Sequence, residues 1–335
     1  MTNSSPSLPA EQQNYAAPQG HGTPQGHSEP QSHSAPQRQP APQGYVAHGH
    51  GAPIPTAPIL AMEGVCLSFG PKRVLDGLTF NVRRGECFGF LGPSGAGKTT
   101  TIKLLTRQLT QDTGRIQLFG RPIEHASNAD YDRIGILSDT SALYERLSIE
   151  ENLRLYASIR GRGQHDIDRL LERMKLSDDR RTLIKNCSKG MRQRAALLCA
   201  LVHAPELLFL DEPTSGLDPA ARAEVHRMLS ELKRAGATIF ITTHDMAEAE
   251  ALCDRLAILD RGRIIALDAP QSLSMKFARN RIVITTRTRG VLELTRDAAA
   301  ADTVHDLLAA NEVLAIHSDE PNLEEVFLEL TGRNL

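Results

Sequence analysis

The residues with the clearest capacity for chemistry are Gly92-Pro93-Ser94-Gly95-Ala96-Gly97-Lys98-Thr99. They fit G-x-x-x-x-G-K-S/T, a loop that holds a phosphate chain. Glycines let backbone N–H groups face a polyphosphate, and a following helix adds positive potential at its N-terminus. Lys98 would reach the β- and γ-phosphates, and the Thr99 hydroxyl would hold Mg²⁺. Thr100 closes the set of expected nucleotide contacts. Further along come Asp211 and Glu212, at the end of Leu207-Leu208-Phe209-Leu210. An acid at a strand end can order Mg²⁺ and its waters beside a phosphate loop. Glu212 would then be positioned to polarise a water for in-line attack on the γ-phosphate.

Three weaker patterns accompany these. Ser188-Lys189-Gly190-Met191-Arg192-Gln193-Arg194 precedes a helical stretch, and alone it reads as an N-cap. Ser215-Gly216-Leu217-Asp218 follows the acidic pair. Thr242-Thr243-His244-Asp245 ends an apolar run. There His244 could touch a γ-phosphate or could be plain polar surface.

Such residues need strands to end beside one another. Cys87-Phe88-Gly89-Phe90-Leu91 reads as a buried strand entering the glycine loop, and Thr100 to Leu105 as the helix leaving it. Arg133 to Leu137, Leu207 to Leu210 and Thr238 to Ile241 are short continuous apolar runs, the pattern of buried parallel strands. Leu78, Phe80 and Val82 alternate instead, like a half-buried strand. Helical stretches run over Ile149 to Ile159 and Ile167 to Met174. The alternation predicts an α/β core with a mostly parallel sheet. The stretch from about 141 to 200 carries helices and no convincing strand, so it reads as a helical insertion. After about Lys276, strand-like runs (Arg281 to Thr286, Val313 to Ile316) and helical runs (Thr303 to Ala310, Leu323 to Leu330) predict a small C-terminal α+β domain over 276–335.

Residues 1–57 stand apart. They are rich in Pro, Gln, Gly, Ser, Ala and His, with loose repeats such as Pro18-Gln19-Gly20-His21. Too little apolar surface is present to offset chain entropy, which predicts a disordered tail. Its histidines (His21, His27, His33, His48, His50) are spaced too irregularly for a defined metal site, and a solvated tail is the simpler reading.

The chain has 335 residues and a net charge of −2. That balance gives no support to a nucleic-acid partner. No run of apolar residues is long enough to span a bilayer, and no signal-peptide series is present at the N-terminus. The cysteines are scattered without a C-x-x-C pair and read as buried thiols in a reducing cytoplasm.

In order and spacing, the five motifs resemble the nucleotide-binding subunit of an ATP-binding cassette (ABC) transporter over about residues 58–275. The resemblance implies a P-loop NTPase core with a mostly parallel sheet, an antiparallel β subdomain and a helical insertion. It implies ATP and Mg²⁺ as cofactors. Gly92 to Thr99 then corresponds to the Walker A loop, Asp211 and Glu212 to the Walker B acid and catalytic base, and Ser188 to Met191 to the signature. Asp218 corresponds to the D-loop and His244 to the switch histidine. Phe69 falls where family members place an aromatic against adenine, although a core phenylalanine would look the same in sequence. The resemblance also implies a head-to-tail pair of cassettes acting on a separate membrane permease, from the cytoplasmic face of the cell membrane. A soluble ABC protein of translation or DNA repair is the rival class, but a second Walker A pattern and long coiled-coil stretches are both missing. Intact Lys98, Asp211, Glu212 and His244 argue against a degenerate, regulatory ATP-binder.

Two departures stand out. The family signature usually begins Leu-Ser-Gly-Gly-Gln, whereas here it is Cys187-Ser188-Lys189-Gly190-Met191. The Lys-Gly-Met form resembles exporter subunits that work with separate permeases, as does the ending Leu323 to Gly332. Read bare, that ending is an amphipathic helix capping the small domain. The second departure is Asp139, which stands where the family carries a glutamine. An aspartate can still bind Mg²⁺, directly or through water, but it adds a negative charge and loses the amide donor.

Asp139→Asn is therefore expected to weaken the Mg²⁺ dependence of ATP hydrolysis with little change in ATP affinity. Asp139→Ala is expected to lower hydrolysis more in the assembled transporter than in the isolated subunit. ATPase activity titrated with Mg²⁺, with and without permease, measures both. Identical curves for wild type and variants would instead mean that Asp139 merely caps a turn facing solvent.

Overall fold

The computed structural model describes residues 57–138, 143–159 and 164–332. The predicted tail, Ala57 apart, lies outside the described residues, and so does Asp139.

The central sheet has the order β10-β9-β3-β8-β7-β6. Its strands are β3 (Cys87–Leu91), β6 (Ile134–Leu137), β7 (Leu207–Asp211), β8 (Thr238–Thr243), β9 (Arg255–Asp260) and β10 (Arg263–Asp268). Strands β6, β7, β8, β3 and β9 run parallel to their neighbours, and β10 pairs antiparallel with β9. A parallel sheet is covered on both faces, which explains the continuous apolar runs. Every residue of β3, β7 and β8 is buried. Alternate side chains feed two separate cores. Phe88, Phe90, Phe209 and Phe240 project to one face, while Cys87, Leu91, Leu208, Leu210, Ile239 and Ile241 project to the other.

The phenylalanine face is covered by an antiparallel sheet of order β2-β1-β4-β5. It contains β1 (Leu60–Phe69), β2 (Lys72–Val82), β4 (Thr113–Leu118) and β5 (Arg121–Pro122). The alternating burial of Leu78, Phe80 and Val82 matches a strand with one wet side. Phe80 joins the two sheets, its ring centroid 5.4 Å from those of Phe88 and Phe90 and 6.0 Å from Phe240. Helix α1 (Lys98–Leu105) adds Ile102, Leu104 and Leu105 to this core. A short helix, α2 (Asn128–Tyr131), leads into β6 and is closed by a capping box of Ser127 and Asp130.

The opposite face is covered by helices. The expected insertion contains α3 (Ile149–Ile159), α4 (Gln164–Arg173) and α5 (Lys189–Leu201). Among the described residues its extended pairing is limited to a bridge between Ser148 and Leu183. Helices α6 (Pro219–Arg234) and α7 (Met246–Leu252) complete that layer. The cysteines form no disulfides, and Cys87, Cys187, Cys199 and Cys253 are buried. Burial pushes the Cys199 thiol well up. Its contact with Cys87, then burial, does the same to Cys253.

After α8 (Pro270–Lys276) comes a three-stranded antiparallel sheet of order β12-β11-β13. Strands β11 (Arg281–Thr286) and β13 (Val313–Ser318) lie where the sequence predicts them, while α9 (Ala298–Ala309) covers the predicted run but starts earlier than Thr303, capped by Asp297. Strand β12 (Val291–Thr295) is an addition, paired with β11 beyond a tight turn at Gly290 with φ 72°. The last helix, α10 (Leu323–Thr331), differs from its expected place. Rather than capping the small sheet, it packs on α7 and α8. Leu323, Val326 and Phe327 are fully buried in the cassette core. Its first turn is tied down as well, because the Leu323 N–H donates to Glu250 Oε1 of α7 at 3.0 Å. The apolar stripe read from sequence is real, but the larger apolar surface wins it.

Phe327→Ala is expected to cost about 3–5 kcal/mol, the range for emptying a fully buried phenylalanine site. Urea unfolding of the full chain measures it, and a loss below about 1 kcal/mol would mean that α10 is peripheral to the cassette.

Candidate functional site

Parallel register sets the site. Leu91 pairs with Thr243 and Asp211 with Thr242, so the carboxyl ends of β3, β7 and β8 stand side by side. Loops leaving those ends share one edge of the sheet, the usual ligand side of open α/β sheets.

The glycine loop wraps between β3 and α1. Gly95 (φ 81°) and Gly97 (φ 114°) take left-handed conformations that side chains rarely adopt. Gly92 is required for a different reason: a Cβ there would lie 2.4 Å from the Leu259 carbonyl oxygen. A hydrogen bond from Ala96 N to Pro93 O (3.1 Å) braces the loop internally, and one from Gly262 N to Ala96 O (3.0 Å) ties it to the turn between β9 and β10. Ser94 and Gly95 face solvent at the loop's crown, and Thr100 lies half-buried in the first turn of α1. Lys98, itself buried, folds back under the loop, donating to Gly92 O at 2.7 Å.

Around this lysine the predicted acids and histidine converge. Thr99 Oγ1 donates to Asp211 Oδ2 at 2.8 Å. Thr242 Oγ1 donates to the other oxygen of Asp211. Lys98 Nζ lies 3.4 Å from Glu212 Oε1, and His244 Nδ1 lies 3.2 Å from Glu212 Oε2. Two sets of contacts therefore stand side by side, Thr99–Asp211–Thr242 across the strand ends and Lys98–Glu212–His244 beside them, joined through the chain neighbours 98–99 and 211–212. A threonine hydroxyl and a carboxylate touching each other are hard oxygen donors, the type that Mg²⁺ takes. The donor set thus fits the expected ion.

Glu212 is unusual in its backbone. Its φ of 46° is left-handed without being glycine, a conformation that persists where neighbours over-determine it. The Glu212 N–H donates to the Thr242 carbonyl at 3.0 Å. Behind it, Gln193 Nε2 of α5 donates to Pro213 O at 2.9 Å. Thr242 and Gln193 were invisible as site residues in sequence, since their contribution is a bond across the fold. The one clue was that both lie within motifs.

The remaining predicted residues form other groups. Ser188 caps α5, accepting from Met191 N at 3.1 Å, and Asp218 caps α6, accepting from Ala221 N at 2.9 Å. They adjoin across Gly190, where a Cβ would stand 3.9 Å from Asp218 Oδ2. Lys189 extends over Gly216 of the same patch. Among the described residues, none of Ser188, Gly190 and Asp218 hydrogen-bonds to the glycine loop. Phe69 ends β1 and is 51% exposed. That removes the core alternative for its ring. It opens the hairpin into β2, whose Leu75 would meet a Cβ on Gly97 at 2.6 Å.

Known proteins are similar to this chain in sequence and fold. A family model described as "ABC transporter" matches residues 75–215. A fluoroquinolones export ATP-binding protein of Mycobacterium tuberculosis is 43% identical over 264 residues, 77% of this chain and 88% of that protein. A daunorubicin resistance ATP-binding protein of Streptomyces coeruleorubidus is 37% identical over 302 residues, 82% of this chain and 96% of that protein. Among solved structures, an ATP binding subunit of an ABC transporter matches with a TM-score of 0.60 at 32% identity, covering 65% of this chain and 93% of that one.

Gly92→Ala is expected to destabilise the chain by about 1–3 kcal/mol, as overpacking against a backbone atom does. It is also expected to weaken binding of a fluorescent ATP analogue. Thermal melting and titration measure the two, and an unaltered affinity would mean that the loop can move away from Leu259 without losing its shape.

Proposed function

This chain belongs to the ABC transporter family of ATP-binding subunits, and on that premise we propose how its residues divide the work. The cassette hydrolyses ATP to power transport. Its phosphate loop, Gly92 to Thr100, cradles the triphosphate with backbone N–H groups, and Lys98 turns from Gly92 O to the β- and γ-phosphates. Thr99 and Asp211 would hold Mg²⁺, which neutralises charge on the phosphate oxygens when bound. Glu212 takes the proton of the attacking water, whose oxygen forms the new bond to the γ-phosphorus as the bond to ADP breaks. His244 keeps Glu212 oriented through the Oε2 contact and faces the γ-phosphate. Phe69 stacks on adenine from the exposed hairpin end. The observation that carries this reading is the convergence of Thr99 on Asp211 and of Lys98 and His244 on Glu212 at one sheet edge.

The patch of Ser188, Gly190 and Asp218 serves a second cassette. Two subunits pair head to tail, so that ATP on one phosphate loop meets the signature of its partner. ATP then shifts the population from open to closed dimers, and hydrolysis reverses the shift. Among the described residues no helix is long and apolar enough to cross a membrane. We therefore assign the translocation path to a separate permease, docked on the helical insertion at the cytoplasmic face. Relatives named for drug export and resistance support an exporter. In this reading residues 58–275 are the cassette and 276–335 an appendage whose last helix returns to it.

Glu212→Gln is expected to cut turnover by about 10²–10⁴-fold while leaving ATP binding intact. Uncleaved ATP should then hold the dimer together in size-exclusion chromatography with ATP and Mg²⁺. Near-normal hydrolysis by the variant would remove Glu212 from the role of base.

A further inference from the structure

Glu248, on the first turn of α7, is a carboxylate with no part in the chemistry above, yet it is 1% exposed. Burying a charge is costly unless it is bonded. Its Oε1 accepts from Thr214 Oγ1 at 2.7 Å and lies 3.2 Å from His226 Nε2 of α6. Its Oε2 has no hydrogen-bond partner. A purely structural pairing at this spot would be served as well by an apolar contact, without stranding an oxygen.

What distinguishes Glu248 is where its bonds lead. Thr214 sits two residues after Glu212, on the loop that must hold the left-handed turn at Glu212. Gln193 of α5 grips the same loop at Pro213. On its own helix, the Glu248 N–H donates to Asp245 Oδ1 at 3.0 Å, and Asp245 directly follows His244. Asp245 is itself tied to α6 by Arg222 at 2.7 Å. The Glu248 side chain thus bonds to a near neighbour of Glu212, from a helix whose N-cap, Asp245, directly follows His244 and is held by the Glu248 backbone.

We propose that Glu248, acting through Thr214, is a positioning residue that registers Glu212 against His244. The proposal rests on the catalytic reading of that pair. A buried hydroxyl–carboxyl hydrogen bond, shielded from competing water, suits a contact that must hold a strained turn. With the Thr214 bond cut, Glu212 relaxes from its left-handed turn, and the two-residue pair loses its alignment with the attacking water.

The full chain is tested as T214V, which keeps side-chain volume and removes the donor, and as E248A, the double variant and T214S. Two readouts are taken: ATPase kcat with KM for ATP, and hydrogen exchange of the Glu212 and Thr214 amides. T214V and E248A should each lower kcat about ten-fold at a KM within about two-fold of wild type, since the interaction matters for the transition state rather than for binding. The double variant should be no worse than either single one. T214S, which restores the hydroxyl, should stay within about two-fold of wild-type kcat. Amide exchange at Glu212 should quicken about ten-fold in T214V and E248A. Unchanged exchange in T214V overturns the proposal, as does a lowered melting temperature with kcat intact. A wild-type chain without ATP hydrolysis would count against the catalytic reading, and the exchange measurement would still decide the positioning role.

Discussion

The site depends on one constraint: three parallel strands must finish level with one another. Pairing of Leu91 with Thr243 and of Asp211 with Thr242 brings the glycine loop, the two acids and the histidine to a single edge. A parallel strand cannot slip by one residue here, because the slip would carry its side chains to the other face. Phe209 would then replace Leu208 and Leu210 beneath the helices, and Asp211 would turn away from Thr99. The register of this edge is therefore fixed by apolar packing well below it. The phenylalanine face and the leucine face, which differ so much in shape, make that register unambiguous.

The same logic explains why the polar residues at the edge are so densely bonded. Asp211 is nearly inaccessible and takes two hydroxyl donors, one from the nucleotide helix and one from β8. A buried carboxylate needs such partners. Both are exchangeable, since a hydroxyl that donates to a carboxylate can also present its oxygen to a cation. Lys98 is similar, held by carbonyl oxygens and an acid at distances a phosphate could readily take over. The edge is satisfied internally and remains open to exchange of partners.

Much of this was legible in the sequence, for physical reasons. The phosphate loop, the acidic pair and the histidine are read easily because chemistry restricts residue type at each position. The strands were read from apolar runs that only a doubly covered sheet produces. What escaped reading depends on contacts between distant residues. Thr214 and Glu248 lie 34 positions apart, and neither has a pattern of its own. Strand β12 is short and half-exposed, so its alternation is faint beside the turn residues around Gly290. The apolar stripe of α10 announces a buried face without naming the surface that buries it. Phe69 shows the limit most plainly: an aromatic beside alternating apolar residues fits a core or an exposed platform, and only its accessibility separates them.

The return of α10 to the cassette has a consequence for how this architecture tolerates change. The chain leaves the main body at α8 and rejoins it at α10, and those two helices touch. The small sheet between them is thus a closed handle, fastened at both ends to the same place. A handle can lengthen at little cost, since closure entropy grows only with the logarithm of its length. Its content is free to drift, to be exchanged for another module or to acquire a new surface, while the ATP-cleaving body keeps its seam shut. Architecture of this kind lets one engine carry interchangeable attachments without being rebuilt for each.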